Sequence, residues 1–140
     1  MTIEIQTVQP GDEALFARIA DEVFDHAIDP AVLSRYLAAP GHHLVVALAD
    51  GQIVGQVTAT VHFHPDRQLA DLYVDEVGVS PAYQRRKIAT LMLEQMFALA
   101  RDLGCAEAWL ATEPDNEPAR ALYAPMAQPV QDVVMYAFKL

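Results

Sequence analysis

The stretch of sequence that decides the fold is Val77-Gly-Val-Ser-Pro-Ala-Tyr-Gln-Arg-Arg-Lys-Ile-Ala89. The residues before the loop, 69–79, have the length and composition of a strand, which Ser80-Pro81 ends. After the loop, apolar residues recur at helical spacing as far as Leu103, and Gly104 is well placed to end that helix. The stretch therefore predicts a strand, a short basic loop and the start of a helix.

The basic loop has the features of an anion site. Arg85, Arg86 and Lys87 are consecutive and precede the predicted helix. A helix N-terminus presents unpaired backbone N–H groups and about half a positive charge, and guanidinium groups suit phosphate oxygens. The loop therefore predicts a site for a pyrophosphate. In the preceding strand, Gly78 indicates a bulge or a close backbone approach, so this strand could pair with an extended ligand that contains amides.

The whole chain, residues 1–140, predicts one mixed domain of class α/β (α+β) with the element order β-α-α-β-β-β-α-β-α-β. The predicted strands are 3–5, 44–49, 53–63, 69–79, 107–112 and 130–138, and the predicted helices are 12–24, 29–37, 88–103 and 116–123. Asp50-Gly51 predicts a hairpin between the second and third strands. Side-chain alternation in the strand 69–79 places on one face Val74, Glu76 and Gly78, and on the other Tyr73, Asp75, Val77 and Val79.

Composition excludes several classes of protein. The 140 residues include 19 acidic and 9 basic side chains, and the net charge of −10 argues against generic binding to nucleic acid or to an anionic membrane. The hydrophobic share of 53% excludes a mainly disordered chain, and no apolar run is long enough to cross a bilayer. With Cys105 as the single cysteine and no secretory signal at the N-terminus, we expect a cytoplasmic protein without disulfides or a bound metal.

Three motifs resemble those of one known family. Gln84-Arg-Arg-Lys-Ile-Ala89 is similar to the Q/R-x-x-G-x-G/A loop with which the GNAT superfamily of N-acetyltransferases grips the pyrophosphate of acetyl-CoA. Asp75-Glu-Val-Gly-Val79 is similar to the signature strand of that family, and Asn116 with 119–123 matches its N-x-x-A-x-x-L-Y helix. Residues 73–89 and 131–138 look most like aminoglycoside 3-N-acetyltransferases. The resemblance implies a mixed, mostly antiparallel central sheet flanked by helices.

Two features of the sequence depart from the family pattern. Lys87 stands where the loop usually has glycine, and Met126-Ala127 replaces a common leucine-glycine pair. If position 87 needs a positive φ, lysine costs about 1 kcal/mol or more. If its backbone is right-handed, lysine still supplies its N–H group and adds a charge.

The resemblance implies direct transfer, in which an amine attacks the thioester through a tetrahedral intermediate and coenzyme A leaves as a thiolate. Glu76 is then the expected general base, acting directly or through water, and Tyr123 the expected acid, because a phenol with a pKa near 10 stays protonated at neutral pH. The expected donor to the oxyanion is the backbone N–H of Val77. The expected contacts with acetyl-CoA are Val77, Gly78, Val79, Gln84, Arg85, Arg86, Lys87, Ile88, Ala89, Thr90 and Asn116, and those with the substrate are Asp75, Glu113 and Asp115.

The resemblance implies a small cationic amine as the acceptor, with an aminoglycoside first. The acidic composition supports this choice, because aminoglycosides are polycations. A peptide N-terminus, a lysine or a polyamine remains open as the acceptor, and so does a catalytically silent acyl-CoA-binding module. His62 and His64 have a spacing that permits a metal, although no further ligand cluster supports one. The final apolar strand could pair two copies of the chain as a homodimer.

Overall fold

The computed structural model describes residues 2–127 and 129–140. The chain divides into two compact units, Met1–Leu110 and Ala111–Leu140, which are described separately. The expectation of a single domain over residues 1–140 stays a prediction.

The first unit is built on a five-stranded sheet. Its strands are β1 (Ile3–Thr7), β2 (His42–Ala49), β3 (Gln52–His64), β4 (Arg67–Val79) and β5 (Cys105–Trp109), and they lie side by side in that order. The first three pairs of neighbours are antiparallel, and β4 pairs with β5 in parallel. Asp50 and Gly51 have φ angles of 50° and 77°, as the predicted hairpin requires. The mixed, mostly antiparallel sheet is therefore confirmed.

Helices cover the two faces of this sheet. Helix α1 (Pro30–Ala38) begins where predicted, because the Asp29 side chain accepts hydrogen bonds from the amides of Ala31 and Val32. Helix α2 (Ile88–Asp102) buries Met92, Leu93 and Met96 and packs against strands β1 to β5. On the opposite face, α1 and the segment before it form an apolar core whose buried residues include Val23, Leu33, Leu37, Leu44 and Val46. No helix in the described parts of the chain is long and apolar enough to span a membrane.

The helix predicted over 12–24 is wrong apart from its first turn, a 3₁₀ helix at Glu13–Ala17. The backbone then becomes extended at Arg18, whose carbonyl accepts from the Ile53 amide, while the Ala20 amide donates to the Ile53 carbonyl. Pairing with the start of β3 therefore replaces the helical hydrogen bonds. The apolar spacing was still informative, because Val23 is buried against the sheet.

The second unit contains α3 (Glu117–Tyr123), which begins after Asn116 as predicted. The strand predicted over 130–138 is wrong, since residues 129–140 form no strand and their side chains are exposed. Val133, Val134 and Phe138 are 71–82% exposed. A strand requires backbone pairing and a buried face, and an apolar pattern alone supplies neither. In the first unit, the strand that was predicted over 107–112 begins and ends earlier, at Cys105–Trp109.

A bulge in β4 changes the predicted arrangement of side chains. Thr58 of β3 pairs with Glu76 and Ala59 with Val74, so Asp75 is an extra residue without a partner in this ladder. Glu76 and Gly78 share one face, as predicted, but Val74 lies on the other face and is buried. Tyr73 pairs with Thr60, two residues from Thr58, so it lies on the Glu76 face and not on the face predicted for it.

Candidate active site

The basic loop forms a concave run of backbone amides at the head of α2. Arg85 and Lys87 have φ angles of 63° and 62°, on either side of Arg86. Alternation of left-handed and ordinary backbone turns successive N–H groups toward one point, which is the geometry of an anion-binding nest. Lys87 is the N-cap residue and makes no side-chain cap. The amides in the first turn, at Ile88, Ala89 and Thr90, therefore remain available to an anion.

Of the two backbone conformations considered for Lys87, the structure has the left-handed one, with a positive φ. Its left-handed backbone is the conformation in which glycine is favoured, so the lysine side chain costs about 1 kcal/mol at this position. Two contacts support the loop around it. The Gln84 side chain donates to the Val79 carbonyl over 3.1 Å, and the Arg86 guanidinium lies 5.3 Å from the centre of the Tyr83 ring.

The outer edge of β4 is open next to this loop. Strand β5 pairs with β4 only from Ala70 to Tyr73, whereas β4 continues to Val79. The Ser80 amide bonds to the Val54 carbonyl, so the hydrogen-bonded pairs of β3 and β4 near this end include Gln56 with Gly78. The intervening residues Val77 and Val79 therefore direct their N–H and C=O groups away from β3. The backbone N–H and C=O groups of Gly78 instead face β3, because Gly78 forms a hydrogen-bonded pair with Gln56.

Gly78 allows a close approach of the protein's own backbone. A Cβ atom added at Gly78 would overlap the carbonyl oxygen of Val23, which lies in the segment between the 3₁₀ helix and α1. The close approach that the sequence predicted at Gly78 is therefore present, but the neighbour is Val23. This contact presses the segment around Val23 against the sheet beside Glu76.

Two carboxylates lie side by side at the bulge. Asp75 and Glu76 are both exposed, and Oε2 of Glu76 accepts a hydrogen bond from the Gln56 amide group over 3.3 Å. Burial, and then the charge and proximity of the Asp75 carboxylate, raise the pKa of the Tyr73 hydroxyl. The bulge therefore concentrates negative charge and proton acceptors at one place on the sheet.

Tyr36 and an aromatic surface also lie near these carboxylates, and the sequence did not predict a role for either. The Tyr36 hydroxyl donates to the His43 carbonyl over 2.7 Å, and burial, with smaller effects of Asp75 and Glu76, raises the pKa of Tyr36 to about 12. On the Glu76 face, the ring centre of Tyr73 lies 4.5 Å from that of Trp109. His62 extends this cluster at 5.9 Å from Tyr73. Tyr36 lies within the helix predicted over 29–37, where apolar and aromatic residues at helical spacing indicate packing and not a functional role.

The remaining predicted residues lie in the second unit. The Asn116 side chain accepts from the Ala119 amide over 3.2 Å and so caps α3. Tyr123 is half-buried at the end of α3, and burial raises its pKa, which keeps the phenol protonated. Glu113 and Asp115 are exposed. The structure thus brings the β4 and loop residues together within the first unit, while the roles of Asn116, Tyr123, Glu113 and Asp115 stay predictions.

The histidines considered as metal ligands and the single cysteine have other contacts. The His64 ring Nε2 lies 2.9 Å from Asp71, and Arg67 lies 3.0 Å from the other ring nitrogen. No group of three or more His, Cys, Asp or Glu side chains that could hold a metal occurs among the residues described. Burial and the charge of Asp71 raise the pKa of Cys105, which disfavours its thiolate.

Comparison with known proteins gives a family match and a close relative. Residues 12–126 match the family model described as the acetyltransferase (GNAT) family. The chain is 30% identical over 123 residues to the N-alpha-acetyltransferase RimI of Mycobacterium tuberculosis (strain ATCC 25618 / H37Rv). That alignment covers 86% of this chain and 75% of the relative.

Solved structures show the same fold. An aminoglycoside acetyltransferase, HMB0005, from an uncultured soil metagenomic sample superposes with a TM-score of 0.86 at 22% identity, over 100% of this chain and 99% of that one. The aminoglycoside N-acetyltransferase AAC(6')-Iy, solved in complex with CoA, gives a TM-score of 0.79 at 16% identity, over 99% and 95% of the two chains. At these identities the likeness establishes the fold alone.

Proposed function

Because the chain belongs to the acetyltransferase (GNAT) family and is therefore an acetyl-CoA-dependent N-acetyltransferase, we propose that its acceptor is a small cationic amine, an aminoglycoside acetylated at its 3-N position. The observation that carries the acceptor class is the exposed carboxylate pair, Asp75 and Glu76, on the bulge of β4. An ammonium group brought to this pair gains a charge partner and a proton acceptor in one place.

The residues at the head of α2 fit the cosubstrate. Acetyl-CoA supplies an activated thioester carbonyl. Its pyrophosphate is proposed to lie on the first-turn amides of Ile88, Ala89 and Thr90, with Arg85 and Arg86 beside it. The outward N–H groups of Val77 and Val79 and the outward C=O group of Val77 are proposed to pair with the amides of the extended arm, as a further strand would. The Val79 carbonyl already accepts from the Gln84 side chain. The other expected contacts, from Gly78, Gln84, Lys87 and Asn116, are part of the same proposal.

Glu76 is the proposed general base. The amine must lose a proton to attack, and the Glu76 carboxylate is an exposed acceptor two residues before Gly78. The backbone N–H of Val77 is the proposed donor to the carbonyl oxygen, since it points away from β3. Tyr123 is the proposed acid for the departing sulfur, which its raised pKa supports because the phenol carries its proton at neutral pH.

The aromatic cluster supports a cationic, ring-shaped acceptor. Tyr73, Trp109 and His62 lie on the Glu76 face of the sheet, and Trp109 is 46% exposed. Aromatic faces attract ammonium groups and pack against apolar ring surfaces. Glu113 and Asp115 are proposed to add carboxylates for the remaining ammonium groups of a polycation. The aminoglycoside acetyltransferases among the solved structures of this fold favour the same substrate class.

The amine of a peptide N-terminus is the second candidate acceptor, and the relative named N-alpha-acetyltransferase RimI favours it. Lysine and a polyamine stay open as acceptors, because the carboxylate pair attracts any ammonium group. The family match argues against a silent acyl-CoA-binding module. A cytoplasmic location, a homodimer, and the absence of nucleic-acid and membrane partners are proposed from the sequence alone.

A thiol-release assay with acetyl-CoA tests the proposal across aminoglycosides, N-terminal peptides and polyamines. We expect kcat/KM to be highest for an aminoglycoside, and NMR of the product to place the acetyl group on the 3-N amine. Acetylation at the 6'-amine would correct the position, and higher kcat/KM for peptides would favour the second candidate. Binding of acetyl-CoA without turnover on any amine would contradict the enzyme.

Substitution of the base gives a matched comparison. We expect Glu76→Gln to lower kcat at least 100-fold, the usual contribution of a general base. Glu94→Gln alters an exposed carboxylate on α2 and should leave kcat unchanged. Equal kcat values in the Glu76→Gln and Glu94→Gln variants would remove Glu76 from the mechanism.

A further inference from the structure

Gln56 is a buried amide in an otherwise apolar part of β3. Its exposed fraction is 1%, and Val54, Gly55 and Val57 around it are buried as well. Burial of an amide costs about 1–3 kcal/mol for each polar atom that is left without a partner. The contacts of the Gln56 side chain therefore decide what this residue contributes.

Both contacts of the Gln56 amide group are made by its Nε2 atom. This nitrogen donates to the Val23 carbonyl over 3.3 Å and to Oε2 of Glu76 over 3.3 Å. Gln56 pairs with Gly78 across the ladder, so Glu76 is its diagonal neighbour on the same face. The missing side chain of Gly78 is what allows the Val23 carbonyl to reach the amide.

The orientation of this amide is fixed by its acceptors. The two groups that face Nε2 are both oxygens, so a flipped amide would set its own oxygen against a carbonyl and a carboxylate. In the observed orientation Oε1 of Gln56 is buried and has no hydrogen-bond partner among the described residues. Only the donor orientation satisfies Val23 and Glu76, so the N–H bond that points at Glu76 has a fixed direction.

We propose that Gln56 is a positioning residue that holds the Glu76 carboxylate for proton transfer. An exposed glutamate side chain has several rotamers, and fixing them costs up to about 2 kcal/mol. The bond from Gln56 holds Oε2 and leaves Oε1 of Glu76 free to accept the proton of the acceptor amine. The inference rests on the proposed function, because it assigns Gln56 a role through the proposed base.

The test replaces Gln56 by methionine, which has a similar length and no donor. We expect Gln56→Met to lower kcat about tenfold, the scale of a small misplacement of a reacting group, with KM unchanged within about twofold. Gln95→Met is the matched control. The Gln95 side chain donates a 3.1 Å hydrogen bond to Thr7 Oγ1 and has no contact with Glu76 among the described hydrogen bonds. The control should keep the wild-type kcat. Gln56→Leu replaces Gln56→Met if the latter does not fold.

A double-mutant cycle separates positioning from structural damage. In the Glu76→Gln background, Gln56→Met should cause no further loss of kcat, because the group that it positions is already gone. A tenfold loss in that background too, or a wild-type kcat in Gln56→Met alone, would overturn the inference while the proposed function stands. Wild-type protein without turnover on any amine would overturn both.

Discussion

Substitution of Gly78 by alanine tests how the site is assembled. The added Cβ would overlap the Val23 carbonyl oxygen, and Val23 is only 2% exposed, so backbone must move to make room. Overpacking of this kind costs about 1–3 kcal/mol, and loss of the Gln56 bond to Val23 adds about 1 kcal/mol. We therefore expect Gly78→Ala to lower the free energy of unfolding by about 2–4 kcal/mol.

The assay is thermal unfolding followed by circular dichroism, with Gly55→Ala as the matched control. At about 3 °C per kcal/mol for a chain of this size, Gly78→Ala should lower Tm by roughly 6–12 °C. Gly55 also lies in the sheet without a positive φ. An added Cβ there would meet the terminal methyl of Met92 at 2.9 Å, which a change of rotamer can move, and would lie 3.3 Å from the Gly78 carbonyl oxygen, which needs to give by only a few tenths of an ångström. Gly55→Ala should therefore change Tm by less than about 3 °C.

Equal Tm values for the two variants would refute the reasoning, because they would show that the Val23 carbonyl does not press on Gly78. A large loss in Gly55→Ala with none in Gly78→Ala would refute it as well, and would place the tight contact on the α2 face of the sheet.

Three further predictions concern other parts of the chain. Tyr123→Phe should lower kcat about 100-fold and leave the calorimetric Kd for acetyl-CoA unchanged, and an equal kcat would remove Tyr123 from the mechanism. Lys87→Gly should relieve the left-handed backbone and raise the free energy of unfolding in urea by about 1 kcal/mol, whereas a loss would contradict the strain. The pKa of Tyr36 is raised to about 12 from an ordinary 10.0, so the folded protein holds the phenol proton more tightly than the unfolded chain does. The resulting stabilisation is fully present below pH 10 and is lost as the pH rises toward 12. Between pH 10 and pH 12 the free energy of unfolding should therefore fall by about 2 kcal/mol more in wild type than in Tyr36→Phe, after allowance for solvent screening. An equal fall in the two proteins, measured by urea unfolding, would contradict this.

The parts of the fold that local sequence determines were predictable. Asp29-Pro30 caps α1, Asp50-Gly51 closes a hairpin, and Gly104 follows α2 with a φ of 85°. In each case a few adjacent residues fix the backbone through a side-chain bond or through the freedom of glycine. The position of the basic loop at the head of α2 was predictable for the same reason, because the loop and the helix start are neighbours in sequence.

The parts that depend on distant partners were not predictable. Residues 18–20 leave the helix because they pair with Ile53, and the bulge at Asp75 exists only in the register of β4 against β3. That one extra residue brings Tyr73 to the face of Glu76. The contact of Gln56 with Val23 joins residues 33 positions apart, and no local pattern indicates it. Residues 130–138 show that a local pattern is also not sufficient. Their apolar pattern predicted a strand, but they pair with no other strand.

The most direct test of the whole account is a crystal structure of the protein with coenzyme A. We expect pyrophosphate oxygens within hydrogen-bond distance of the backbone nitrogens of Ile88, Ala89 and Thr90, and the extended arm along Val77 and Val79 of β4. Coenzyme A bound at another surface, with the head of α2 free of phosphate, would contradict it.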